Sequence, residues 1–401
     1  MKNLQKSREN AILYHIWESR TLSRGDIAHI LNLKPPTVSA LVNDLVKSNR
    51  VIEAQYAESS GGRRARLLEI IPDWGWMVGI EFSTMGITTA SADMRGEIYN
   101  LKKTTLAQPF HKQKIIKDIT NAIQHQLSYI HHRSRNPILR IGVAISGLVN
   151  SASGISISFP RFEEWKDVPL KDILEKEFHI PVVIENRITA ITMAENLFGE
   201  HKGIRDALIF LFGPGLGMGM ILNGQVRRGQ NWSVGEFGHI AVTENDALCY
   251  CGKRGCLESL ASDYALIAQA NEAIQKGVST RIVDFTVKNE VTANAICLAA
   301  ADGDRLAYGL IERAGRYIAT GIANLLNVLG PDLIVIGGLL IESSDALLDC
   351  IRRNLKVHTL EYIEKQVKIE KASFGSEAGI QGAVTIGLND FYSNHAGDLR
   401  A

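Results

Sequence analysis

The sequence contains few cysteines, no long apolar run and no large excess of positive or negative charge. Its five cysteines are an odd count, and three of them crowd into Cys249, Cys251 and Cys256. This pattern disfavours a disulfide framework and favours a metal site in a reducing compartment. No apolar stretch approaches the roughly 18–20 residues that cross a bilayer, and the short run near the start is broken by His15. We therefore expect a cytoplasmic protein without a membrane partner.

The balance of charge excludes a field that would draw the whole chain to nucleic acid. Lys and Arg number 44 against 43 Asp and Glu, and the composition of 45% hydrophobic residues is that of a folded protein. Residues 1–70 differ, because they carry eleven basic and seven acidic residues. A nucleic-acid partner is therefore expected at the N-terminal end.

Three helical patterns follow one another in that region. The first covers residues 4–18, and the second begins at Ser23, with Asp26 at capping-box spacing. The third follows Pro35-Pro36 and repeats apolar residues at helical spacing, namely Val38, Leu41, Val42 and Leu45. The opposite face carries small residues that fit a DNA major groove: Thr37, Ser39, Ala40 and Asn43.

Two predicted strands, residues 51–54 and 66–70, complete this region. The loop between them is rich in glycine and carries Arg63 and Arg64, which suit phosphate or a minor groove. Helices, helix-turn-helix and a basic hairpin predict a winged helix-turn-helix domain that binds double-stranded operator DNA over residues 1–73. The alternative is a small helical module that binds protein.

Beyond residue 74 the pattern alternates strands and helices. Strands are predicted at 77–82, 86–92, 141–145 and 182–185, and a second copy of the theme starts at 207–212 with a glycine-rich turn over 213–219 and a strand at 220–222. Two similar α/β lobes facing a cleft fit this order. We expect a first lobe over 74–190, completed by 376–401, and a second over 191–375.

Two motifs in the second lobe carry a resemblance. They are Gly235-Glu236-Phe237-Gly238-His239 and the Cys-x-Cys-Gly-x-x-Gly-Cys-x-Glu run from Cys249 to Glu258. The body resembles the ROK family, which combines sugar kinases and transcriptional repressors on an actin-like, hexokinase-like ATPase fold. With the winged helix, residues 3–388 resemble its repressor branch, the Mlc/NagC/XylR type.

The two motifs together also predict a metal site. His239, Cys249, Cys251 and Cys256 form a Cys₃His set of the kind that closes around one structural Zn²⁺. The alternative is three free cysteines beside a core histidine. Cys297 and Cys350 lie in apolar helical contexts and are expected to be buried thiols.

The resemblance implies that Glu236, His239 and Glu258 hold sugar hydroxyls, so His239 would serve metal and sugar with different ring nitrogens. It also implies a damaged kinase. Residues 81–85 lack both glycines of the family's first phosphate loop, and the catalytic Asn-Asp pair reads Asn186-Arg187. Arginine stays protonated and cannot act as a general base, so we expect no enzyme activity and no catalytic residue.

A second arginine, Arg161, stands where the family often has a sugar-contacting Asn. Arg161, Asn186 and Arg187 are therefore candidate effector residues. The arginines either pair with nearby carboxylates and fill an idle pocket, or bind an anionic sugar derivative.

These observations predict a sugar-responsive transcriptional regulator, expected to be a repressor of carbohydrate-utilisation genes and a homodimer or homotetramer. Two alternatives remain: an active sugar kinase with an appended DNA-binding module, and a regulator controlled by a protein partner. The effector, the operator and the direction of its response are left open.

Overall fold

The computed structural model describes residues 2–56, 65–106, 110–160, 162–229, 233–244 and 247–393. The chain forms two compact units. Unit 1 comprises Met1–Ala190 and Gly379–Ala401, and unit 2 comprises Ile191–Ala378.

The helices in the described residues are α1 (Lys2–Ser19), α2 (Arg24–Ile30), α3 (Pro35–Lys47), α4 (Lys112–Arg133), α5 (Leu170–Phe178), α6 (Arg187–Phe198), α7 (Glu258–Ala261), α8 (Asp263–Gln275), α9 (Ala293–Ala301), α10 (Arg305–Leu329), α11 (Leu339–Ser343), α12 (Asp345–His358), α13 (Glu361–Glu364) and α14 (Ala378–Ser393). The strands are β1 (Leu22–Ser23), β2 (Val51–Tyr56), β3 (Arg66–Ile70), β4 (Trp76–Ser83), β5 (Gly86–Asp93), β6 (Ile98–Thr104), β7 (Ile138–Ile145), β8 (Leu148–Asn150), β9 (Ile155–Ser158), β10 (Lys166–Val168), β11 (Val182–Asn186), β12 (Ala207–Phe212), β13 (Leu216–Leu222), β14 (Gln225–Val226), β15 (Leu333–Gly337) and β16 (Lys368–Lys371).

The N-terminal region folds as its sequence predicts. The Ser23 side chain accepts a hydrogen bond from the Asp26 amide while the Asp26 carboxylate accepts one from the Ser23 amide, so α2 begins with the expected capping box. α3 starts at two prolines and buries all four predicted apolar residues. A small antiparallel sheet of order β1-β3-β2 closes the region. The predicted arginines of its loop, Arg63 and Arg64, lie outside the described residues.

The main sheet of unit 1 has the order β11-β7-β4-β5-β6, with β4, β7 and β11 parallel and β4, β5 and β6 antiparallel. α4 packs on one face, where Val78 and Ile80 meet its apolar side in a buried cluster. α14 lies on the other face. A Cβ added at Gly142 would come within 2.0 Å of the Ala383 carbonyl oxygen, so this face requires glycine.

The N-terminal region and the first sheet pack together within unit 1. The rings of Trp17 and Tyr392 stack with their centroids 5.1 Å apart. The Tyr392 hydroxyl donates to the Met94 carbonyl at 3.1 Å, and the Arg20 guanidinium donates to the Arg95 carbonyl at 2.5 Å. Helix α1 is thereby joined to α14, at the far end of the chain.

The main sheet of unit 2 has the order β14-β13-β12-β15-β16. β12 pairs antiparallel with β13 and parallel with β15, and the 25-residue helix α10 supplies much of the buried core. The expected turn over 213–219 is wrong in part, because β13 begins at Leu216. Gly219 serves close packing instead, since a Cβ there would come within 1.7 Å of the Thr192 Oγ1.

Candidate functional site

Four side chains in unit 2 converge as a Cys₃His cluster. The ligand atoms of His239, Cys249, Cys251 and Cys256 all lie within 4.8 Å of one another. The Cys249 Sγ is 3.6 Å from the His239 Nδ1, and the Cys251 Sγ is 3.7 Å from the Cys256 Sγ. Positive φ angles at Gly252 and Gly255 let the loop fold back on itself. The predicted metal ligands are thus brought together.

The spacing of the donors can be compared with that of a bound ion. Zn–S bonds of 2.3 Å and Zn–N bonds of 2.0–2.1 Å, placed tetrahedrally, separate ligand atoms by about 3.8 Å for S···S and about 3.6 Å for S···N. The observed separations match both values, so the residues fit a four-coordinate ion of that size. Burial raises the pKa of the Cys256 thiol to about 12. Metal binding at this site must therefore release thiol protons.

The second ring nitrogen of His239 faces away from the cysteines. Its Nε2 lies 3.1 Å from the Tyr250 hydroxyl oxygen and 4.0 Å from the Glu236 Oε2. A metal on Nδ1 leaves the proton on Nε2, which can then donate to an oxygen. One imidazole can therefore serve the metal and a hydroxyl together.

Two carboxylates stand beside this imidazole. Glu258 begins α7, is buried, and its Oε2 accepts a hydrogen bond from the Leu216 amide at 3.1 Å. Burial raises the pKa of Glu236, opposed by the charge of His239. Gly238 leaves room for Glu258, because a Cβ there would come within 2.4 Å of its Oε2. Carboxylates and an imidazole N–H so placed can accept from and donate to a hydroxyl-rich ligand.

In unit 1, Arg187 forms a close ion pair. Its Nε donates to the Glu81 Oε1 at 2.5 Å, and the Glu81 side chain is only 8% exposed. Glu81 also lies against Gly379 near the start of α14, where a Cβ would collide with its carboxylate. The positive end of the helix stabilises the negative charge. Arg187 is therefore already neutralised by a carboxylate at the end of β4.

Asn186 acts as a helix cap. Its side-chain oxygen accepts from the amides of Ile188 and Thr189 at the start of α6, and its amide nitrogen donates to the Gly147 carbonyl. Of the six predicted effector residues, Asn186 and Arg187 lie in unit 1, whereas Glu236, His239 and Glu258 cluster in unit 2. Arg161 lies outside the described residues.

The outer face of α3, which carries the predicted base-reading residues, makes contacts with other parts of the chain. Ala40 and Asn43 are exposed, while Thr37 and Ser39 are half-buried. The Arg24 guanidinium donates to the Ser39 carbonyl, to the Asn43 side-chain oxygen at 2.9 Å and to Glu53 at 2.7 Å. α2 and β2 thus hold α3 in place and orient one of its predicted base-reading side chains.

Three residues of these sites were missed at the sequence level. Tyr250 was passed over as the variable position between two cysteines, although a large polar side chain flanked by metal ligands must lie near them. The pairing of Glu81 with Arg187 joins positions 106 apart, and no local pattern reveals it. Arg24 is one of the eleven basic residues counted in residues 1–70, and no local pattern indicates its contacts with α3.

Comparisons with known proteins agree on one group. A sequence model of the ROK family matches residues 77–389. The xylose repressor of Caldicellulosiruptor bescii is 28% identical over 97% of both chains. A glucokinase of Halalkalibacterium halodurans is 30% identical, over 77% of this chain and 93% of its own. A solved ROK family transcriptional regulator, a homolog of the E. coli Mlc protein, is 25% identical with a TM-score of 0.82 and covers 99% of each chain.

The full-length structural match confirms the expected fold class, a winged helix-turn-helix followed by a two-lobed body of the ROK kinase type. Within the described part of the chain, no helix is both long and apolar enough to cross a membrane.

Proposed function

Because the chain belongs to the ROK family, we propose that it is a DNA-binding transcriptional repressor controlled by a sugar. The observation that carries this proposal is the capped helix α2 followed by α3, a helix-turn-helix that lies before the residues matched by the family model. The full-length similarity to the xylose repressor supports it, since that similarity covers the DNA-binding region as well as the body.

We propose that DNA is read by the outer face of α3, through Thr37, Ser39, Ala40 and Asn43. Arg63 and Arg64 are proposed to hold the phosphate backbone from the wing. A homodimer or homotetramer would present two such helices to half-sites one or more helical turns apart.

The body is proposed to be catalytically inactive. A sugar kinase needs a base to take the proton of the attacking hydroxyl, and Arg187 offers only a guanidinium bonded to Glu81. Replacing Arg187 with Asp should leave ATP-dependent sugar phosphorylation at background, because residues 81–85 still lack the phosphate-binding glycines. Turnover by the unaltered protein would favour the kinase alternative.

We propose that the metal is structural Zn²⁺, one per chain, held by His239 and the three cysteines. Four protein ligands leave no open position for a reacting molecule, so the ion would serve to fix the loop that leads into Glu258. Elemental analysis of protein purified without added metal should give about one zinc per chain.

The effector is proposed to be a neutral sugar that contacts Glu236, His239 and Glu258. Within unit 1, the Arg187 guanidinium already has a charge-assisted partner in Glu81, which weakens the case for an anionic ligand on Arg187. Calorimetry with neutral sugars and with phosphosugars or sugar acids separates the two classes. Tight binding of only the anionic class would restore the alternative.

DNA binding and its control can be tested together by fluorescence anisotropy with DNA from upstream of the protein's own gene. The Arg63→Ala/Arg64→Ala variant should bind more weakly, and its log–log salt dependence should be shallower by up to about two units. Arg305→Ala, an exposed arginine of unit 2, is the matched control and should bind like the unaltered protein. Release of DNA by a neutral sugar supports the effector proposal. Insensitivity to every sugar would favour control by a protein partner.

A further inference from the structure

The side chain of Tyr250 occupies a position that neither the metal cluster nor the sugar contacts account for. Its hydroxyl lies 3.1 Å from the His239 Nε2, and the two rings meet edge to face with centroids 5.2 Å apart. Burial, and then the nearby carboxylates of Glu258 and Glu236, raise the pKa of Tyr250. These three partners are the residues proposed to hold the sugar.

The chemistry of the phenol matches that of one sugar hydroxyl. Each has one O–H donor and oxygen lone pairs that accept. With the metal on Nδ1, the His239 Nε2–H can donate to the Tyr250 oxygen, which leaves the Tyr250 O–H able to donate to the nearby Glu258 carboxylate. A sugar hydroxyl at the same place would complete an identical chain of hydrogen bonds, so the two cannot be there together.

The loop allows the phenol to leave without unfolding. Tyr250 is 51% exposed, so part of its ring already faces solvent. Its neighbours Cys249 and Cys251 are both in the metal cluster, which holds the backbone on either side. Departure therefore requires only rotation about the side-chain bonds, which exposed side chains complete in picoseconds to nanoseconds.

We propose that Tyr250 is a built-in competitor of the effector, whose hydroxyl takes the place of one sugar hydroxyl on His239 and Glu258 until a sugar displaces it. This inference rests on the proposed function, since it concerns the same site. Tyr250 would then lower the apparent affinity for the sugar, because the sugar must displace a hydroxyl that is part of the same chain.

The test is calorimetric titration of the zinc-loaded, full-length protein with D-xylose, D-glucose and N-acetyl-D-glucosamine. Tyr250→Phe keeps the ring but removes the competing hydroxyl, so its affinity for the sugar that binds should rise about 3- to 10-fold. Tyr308→Phe is the matched control. Tyr308 is an exposed tyrosine of α10 near Arg353, and loss of its hydroxyl should leave the affinity unchanged.

A spectroscopic measurement distinguishes displacement from a general change of the site. Sugar binding should move the Tyr250 phenol out of its hydrogen bonds, which gives a near-ultraviolet tyrosine difference spectrum in the unaltered protein. The signal should be absent in Tyr250→Phe and retained in Tyr308→Phe.

The outcomes separate this inference from the proposed function. If the unaltered protein binds a sugar and Tyr250→Phe binds it equally or more weakly, the competitor role is wrong and the sugar sensor stands. If neither protein binds any of the three sugars, the proposed effector site and the competitor role fall together. Tighter binding by Tyr250→Phe, with loss of the difference signal, supports both.

Discussion

The main sheets of the two units have the same topology but differ in the residues around the first strand of each. In unit 1, β4 pairs antiparallel with β5, which pairs with β6, and on its other side β4 runs parallel to β7 and β11. In unit 2, β12 stands in the same relation to β13 and β14 on one side and to β15 and β16 on the other. The chain thus contains two copies of one five-stranded plan.

The copies differ at the turn after the first strand. In unit 2, Gly213 and Gly215 remain in the turn between β12 and β13. In unit 1, the corresponding turn is Thr84-Met85, and the strand before it carries Glu81, which binds Arg187. A phosphate needs backbone amides that glycines leave accessible, whereas an ion pair needs only two side chains. Unit 2 thus keeps glycines at this turn, whereas the described part of unit 1 has an internal ion pair beside it.

The largest effect is expected from the metal cluster, which unit 2 has and the described part of unit 1 lacks. Cys256→Ser should reduce bound zinc from about one per chain to nearly none and destabilise unit 2, because metal binding contributes directly to folding. Elemental analysis and thermal unfolding measure both changes. Cys350→Ser, at a buried thiol of α12, should retain the metal. A metal-free Cys256→Ser protein as stable as the unaltered one would contradict the structural role.

The ion pair of unit 1 should rank second. Arg187→Ala leaves the buried Glu81 carboxylate without its cation, and we expect a loss of about 3 kcal/mol in the free energy of unfolding. Adding Glu81→Gln should recover part of that loss in a double-mutant cycle. Lys365→Ala breaks an exposed pair with Glu361 and should cost less than about 1 kcal/mol. Equal costs for the two pairs would show that burial is unimportant here.

Substitution of the glycines on which helices pack should have a smaller effect on stability, and the effect should differ between the two sheets. Gly142→Ala would press a methyl group into the Ala383 carbonyl of α14, whereas Gly219→Ala meets the side chain of Thr192. We expect about 1–3 kcal/mol of destabilisation, larger for Gly142, since backbone yields less than a side chain. Gly309→Ala, in α10 with open space around it, should instead stabilise by up to about 1 kcal/mol. Chemical denaturation measures all three.

The smallest effect concerns a second buried carboxylate. Glu195 of unit 2 accepts hydrogen bonds from the Ser373 amide and hydroxyl, and burial raises its pKa. A raised folded-state pKa gives stability that is present at low pH and lost as pH rises through it. Glu195→Gln should therefore flatten the fall in unfolding free energy above about pH 4.5.

The control for that measurement is Glu272→Gln. Glu272 is exposed, and its hydrogen bond from Lys276 lowers its pKa, so its contribution to stability appears above the unfolded-state pKa and is lost on acidification. The two variants should thus alter the pH profile in opposite directions. The same direction for both would contradict the assigned causes.

Much of the fold could be predicted because its signals are local. The Ser23 capping box, the apolar spacing of α3 and the run of buried residues in β12 each need only a few neighbouring residues. The cysteine spacing predicted the cluster in the same way. The glycines of β13 led to a wrong prediction of a turn. Gly219 is instead required by close packing against Thr192 of α6, which a local sequence pattern does not reveal.

The rest depends on contacts between distant positions. Arg187 pairs with Glu81 of β4. The hydroxyl that lies next to the His239 ring belongs to Tyr250, between two cysteines. Arg187 can bind an anion only if no carboxylate of the chain lies close to it. A sequence pattern gives no distances, so it cannot decide this. The same holds for Arg24, whose guanidinium reaches from α2 to Asn43.

Helix α14 carries a consequence for how the protein is made. It is synthesised after every other described helix and strand, yet it covers Gly79 and Gly142 of a sheet whose strands are synthesised well before it. At about 5–20 residues per second, residues 191–378 take about 10–40 s to translate, and the sheet waits that long for its cover. Trp17 waits equally for Tyr392, on which it stacks. A nascent chain therefore completes its DNA-binding end only after its sensor has been translated, and until then it presents an apolar face to chaperones.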